Sequence, residues 1–96
     1  MKVTEKIIIS VPKEIEVEFD IGDILNRWDL SKNRLDIARE SLEKITKYPG
    51  AVWNILSREK LIDTEKQEVG WGDKDHFVFI TDKGKNIMAE SRLGLS

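Results

Sequence analysis

Apolar and polar residues change rhythm several times along the chain, and each change of rhythm marks an element. Over residues 6–20, apolar positions alternate with polar ones. Ile7, Ile9 and Val11 alternate with Lys6, Ile8 and Ser10, and Ile15, Val17 and Phe19 alternate with Glu14, Glu16 and Glu18. A period of two predicts two strands, with the apolar set on one face and the three glutamates on the other. Pro12-Lys13 supplies the turn between them, where the missing proline N–H costs no ladder bond. The glutamate row also discourages edge-to-edge aggregation.

The rhythm then becomes helical. Ile21, Ile24, Leu25 and Trp28 share one face of a first helix over about residues 21–29, with Asp20 as N-cap and Asp23 three residues on. A second helix is predicted from near Ser31 to about Lys47, with the stripe Leu35, Ala38, Leu42 and Ile45. Glu40–Lys44 and Glu43–Lys47 are i,i+4 pairs in the favourable order on its surface. A third helix starts near Pro49, since proline suits a first turn that has no intrahelical partner for its N–H. It points Val52, Ile55 and Leu56 inward and fades near Lys60. Leu61 and Ile62 restart burial, residues 62–69 alternate as a strand, and 70–75 (GWGDKD) form a turn-rich tip. Residues 76–81 complete a hairpin. A last helix runs from about Asp82 to Arg92, with Thr81 as N-cap, Asp82 at the positive end of the dipole, and Ile87 and Met88 apolar. Residues 93–96 read as a frayed tail.

Composition narrows the classes. Ninety-six residues make one domain, read as a hairpin extension over 1–20 and a main body over 21–92. There is no cysteine, which excludes disulfides, thiolate metal sites and a cysteine nucleophile. No apolar run suits a signal sequence or a bilayer span, so a soluble cytoplasmic protein is expected. The net charge is −2, against a binder that works by bulk charge alone. Charge is uneven, however: residues 1–30 carry −3, 31–60 carry +3 and 61–96 carry −2.

The order helix, helix, helix, strand, glycine-bearing tip, strand, helix is that of a winged helix. Two stretches carry a resemblance to winged helix-turn-helix transcription regulators of the PadR and MarR types, covering about residues 30–90. PGAVWNILSREKLIDTE resembles their recognition helix and following strand, and FVFITDKGKNIM resembles their second wing strand and the helix after it. The chain departs from the family pattern in three ways. Its 51–62 stretch is shorter by roughly a turn, Lys60 stands where glycine is usual, and a β-hairpin precedes the first helix. The expected fold class is therefore α+β, a winged helix-turn-helix with an additional N-terminal hairpin, the hairpin being an accessory sheet or a dimer contact.

The resemblance implies sequence-specific binding of double-stranded DNA by a homodimeric regulator. An enzyme would need a convergent set of catalytic groups and a metal site several ligands at fixed spacings; the sequence offers neither, so no enzyme activity, metal or cofactor is expected. With the third helix (about 49–60) in the major groove, Ala51, Asn54, Ser57 and Arg58 face outward and Lys47 and Tyr48 sit at its start. Asn pairs with adenine and Arg with guanine, whereas Lys and Tyr suit phosphates. Lys32, Arg34 and Arg39 on the second helix are set for backbone phosphates, or simply form a solvated charged face. At the wing (about 62–81), Trp71 and Lys74 offer an aromatic and a cation, which Asp73 and Asp75 weaken; alternatively the indole folds over the sheet. His76 reads as a strand-start residue, and Trp28 and Trp53 as core or interface. Lys83-Gly84-Lys85 lacks the P-loop pattern, but its lysines lie near a helix N-terminus that can meet a DNA backbone. The competing reading is a winged helix used for protein contacts, favoured by the near-neutral charge and acidic tip. Positive potential around Asn54, Arg58 and Lys74 would favour DNA; an apolar or acidic patch there would favour a protein.

Overall fold

The computed structural model describes residues 1–11, 13–31, 33–68, 70, 72 and 74–94. Eight elements follow in the order β1 (Lys2–Ser10), β2 (Lys13–Asp20), α1 (Ile21–Arg27), α2 (Leu35–Ile45), α3 (Pro49–Arg58), β3 (Ile62–Glu68), β4 (Lys74–Ile80) and α4 (Asp82–Arg92). The fold is α+β, with two antiparallel two-stranded sheets, β1-β2 and β3-β4, and four helices. No helix among the described residues is long and apolar enough to cross a membrane.

The helix stripes form the core. Ile21, Ile24, Leu25 and Trp28 of the first helical stretch meet Ala38, Leu42, Val52, Ile55 and Leu56, joined by Phe19, Leu61, Ile62, Val78 and Ile87. Three helix starts follow local chemistry. The Asp20 carboxylate accepts the Asp23 N–H (3.3 Å), Pro49 occupies the first turn of α3, and the Thr81 hydroxyl accepts the Gly84 N–H (3.2 Å).

Four sequence expectations need correction. First, α2 begins at Leu35 rather than near Ser31, because residues 33–34 are taken by a strand. The Asn33 carbonyl accepts the Val78 N–H at 2.7 Å, and Arg34 forms an isolated antiparallel bridge with Phe77. Arg34 is accordingly extended and provides no side-chain cap. The helix also ends at Ile45, two residues early. Second, α1 stops at Arg27. The Asp29 carboxylate takes the Ser31 N–H (3.0 Å), a local turn that competes with helix, and this bond holds its pKa below the usual value.

Third, β1 starts at Lys2, four residues earlier than predicted, and β4 at Lys74, two earlier. Fourth, the inward row of β1 is Val3, Glu5 and Ile7, opposite Phe19, Val17 and Ile15. Ile9 and Val11, predicted to share that apolar face, are 50% and 91% exposed. A bulge between Ile8 and Ser10 leaves Ile9 without a partner on β2 and breaks the period of two. The Pro12 turn lies outside the described residues.

The end of α3 explains Lys60. The Leu61 N–H reaches back to the Leu56 carbonyl (2.9 Å) and the Lys60 N–H to that of Ser57 (3.2 Å). This is a Schellman ending, with Leu56 and Leu61 both buried. Lys60 therefore adopts φ +56°, the left-handed conformation that glycine takes without cost. Lys60→Gly is expected to stabilise the protein by roughly 0.5 kcal/mol, relief of left-handed strain less the extra chain entropy of glycine. Urea denaturation measures this, and a lower midpoint would contradict it.

Candidate nucleic-acid interface

A three-residue link joins α2 to α3. In it Thr46 leaves the helix as an extended residue, and its hydroxyl accepts the Tyr48 N–H at 3.2 Å. With Val52, Ile55 and Leu56 turned into the core, α3 presents Gly50, Asn54 and Ser57 to solvent. Arg58, exposed, borders this strip on the side of β1, where it meets Glu5, and Ala51 is half-buried.

Trp53 forms the other border. Its ring stands edge-on to Trp28, with centroids 6.1 Å apart and planes at 84°. The Arg39 guanidinium lies over its face, 4.9 Å from the centroid. That stack separates two shallow grooves. One, of about 340 Å³, runs along Glu43, Gly50 and Asn54; the other, of about 370 Å³, runs toward Ser57, Asp63 and Thr64. The polar strip of α3 is thus continuous, past Arg39, with the start of β3.

The arginines differ in availability. Arg58 donates from Nη2 to the Glu5 carboxylate, and its Nε lies 3.9 Å from Glu59. The hydrogen bond to Glu5 raises the Arg58 pKa above the ordinary arginine value. Arg34 is likewise engaged, with Nε 2.7 Å from Asp75 and 3.8 Å from Asp36. Arg39 makes no ion pair among the described residues, and its guanidinium is held over the Trp53 ring instead. Lys47 lies 5.8 Å from the Tyr48 ring centroid, at the start of α3 as predicted. Lys74 is exposed at the start of β4, in register with Glu68. Strands β3 and β4 carry four carboxylates against two lysines.

Of the residues nominated from sequence, Ala51, Asn54, Ser57 and Arg58 share α3 with Lys47 and Tyr48 just before it. Arg34 belongs instead to the junction with β4, and Lys32 and Trp71 lie outside the described residues, as does Asp73. Two participants were missed. Gly50 opens the solvent face of α3. Glu5, 53 residues from Arg58, holds that arginine; its polar intrusion into the apolar row Val3–Ile7 was the available signal. His76 is exposed in β4, paired in register with Lys66. No group of three or more potential ligands is placed to hold a metal ion among the described residues.

No family model matches the chain, and no curated protein or solved structure is significantly similar to it.

Proposed function

We propose that this protein is a winged helix that binds double-stranded DNA, with α3 as the recognition helix and the β3–β4 hairpin as the wing. The observation that carries this reading is the α2–link–α3 unit, whose second helix leaves an uncharged polar strip, Gly50, Asn54 and Ser57, open beside Arg39, an arginine without an ion pair among the described residues. The bridge from Arg34 to Phe77 supports it, because it ties the segment before α2 to the hairpin that would form the wing.

Each group has a matching task. The Asn54 amide offers a donor and an acceptor to an adenine edge, and Ser57 suits any base. Gly50 allows close approach of the helix backbone. Arg39 and Lys47 meet phosphates on either side. Arg58, neutralised by Glu5, is a weaker contributor than its residue type suggests. The carboxylates of β3 and β4 favour a wing that touches a protein rather than a phosphate backbone, and a protein-binding module is the reading that remains if no duplex binds.

Selection from a random duplex library, followed by polarisation titrations between about 50 and 200 mM salt, tests the proposal. An enriched sequence is expected, with affinity falling steeply as salt rises. Arg39→Ala should weaken binding about 5-fold or more and lower the salt slope by about one, whereas Arg58→Ala should change affinity about 2-fold or less. Salt-independent binding, no duplex bound, or the opposite ranking of the two arginines would contradict the assignment.

A further inference from the structure

Among the described residues the β1–β2 sheet has two strands, so each strand has an outer edge with no strand paired to it there. The two edges differ in chemistry. Along β2, Glu14, Glu16 and Glu18 are all exposed, and a second copy of that edge would set carboxylates against carboxylates. Along β1, no charge occurs from Ile7 to Val11, and Ile8, Ile9 and Val11 are 69%, 50% and 91% exposed. Ile9 also lacks a partner on β2.

Exposed strand edges are ordinarily blunted by charge or proline. Here β2 carries a row of charge and the far half of β1 carries none, its only irregularity being the bulge between Ile8 and Ser10. The chain is also extended for its length. The radius of gyration is 14.7 Å and the longest axis 47 Å, against about 12.5 Å expected for the radius of a compact chain of this length.

We propose that the far end of β1, from Ile7 to Ser10 with Val11 just beyond it, is a self-association surface. Two copies pair β1 with β1 antiparallel, giving a four-stranded sheet in which the glutamate rows lie outermost. The contact is isologous and closes on itself. With the dyad at Ile8, that residue meets the partner's Ile8, Ile7 meets the partner's Ile9, and Lys6 meets the partner's Ser10. Apolar residues then face one another on both sides of the sheet, and no like charges are opposed. Pairing β1 with a partner's β2 would set lysines against glutamates, but that head-to-tail contact leaves an open edge and grows without closing.

The proposal is independent of DNA and is tested without it. Light scattering on the full chain at concentrations up to about 100 μM should give twice the 11.1 kDa chain mass. Ile8→Lys, at an exposed site, should halve that mass with an unchanged circular dichroism spectrum, while Glu16→Lys on the opposite edge should leave the dimer intact. A monomeric wild type, an Ile8→Lys protein that stays dimeric, or species growing beyond a dimer with concentration would each overturn it.

Discussion

Gly84→Ala is expected to destabilise the protein by about 3 kcal/mol, the upper part of the range for overpacking a core. A Cβ at this position would lie 2.4 Å from the Leu61 carbonyl oxygen and 2.7 Å from Cγ2 of Ile80. Ile80 can turn aside, but the carbonyl cannot. It already accepts the Thr81 N–H at 3.0 Å, while the Thr81 hydroxyl donates to the Lys60 carbonyl at 2.8 Å. The first turn of α4 is therefore clamped onto the end of α3 by two hydrogen bonds, and only glycine fits between. Such a loss lowers the melting temperature by about 15 °C in a domain of this size. Thermal and urea denaturation measure it. A shift of only a degree or two would show that the α3–α4 junction is looser than described.

Trp28→Ala is expected to cost about 4 kcal/mol. Trp28 is 6% exposed, and its indole N–H donates to the Ala38 carbonyl at 2.9 Å, joining the end of α1 to α2. Its ring also packs at right angles against Trp53, over which Arg39 lies. The substitution should therefore weaken the proposed DNA binding as well as folding, even under conditions where the variant remains folded. Trp28→Phe keeps most of the apolar volume and loses the hydrogen bond, for about 1 kcal/mol. A Trp28→Ala protein as stable as wild type would remove the link between core and site. Both substitutions are large against a total stability of about 5–15 kcal/mol.

What the sequence disclosed and what it hid divide along physical lines. Caps and stripes are local, and Asp20, Pro49, Thr81 and the apolar faces of all three leading helices were legible from spacing alone. The start of α2 was not, because the competing partner of residues 33–34 is β4, more than forty residues away. The overhang of Ile9 and Val11 was hidden for a related reason: alternation announces a face but not where the core beneath it ends. At the candidate interface, Asn54 and Ser57 followed from helical phase. The states of the arginines did not. Arg58 and Arg34 are taken by Glu5 and Asp75, and Arg39 is left over, through contacts between distant segments. Lys60 shows the reverse case, a position where the winged helix regulators that the sequence resembles usually have glycine and where the backbone here keeps the left-handed geometry that glycine would serve.

The central claim, that the solvent face of α3 is a DNA-reading surface, is most directly tested by a two-dimensional amide NMR titration of the labelled protein with its selected duplex. The largest shift changes are expected on the backbone amides of Gly50, Asn54 and Ser57 and on the side chains of Asn54 and Arg39, with β1 and β2 little affected. Changes centred on the N-terminal hairpin, or none at saturating duplex, would contradict it.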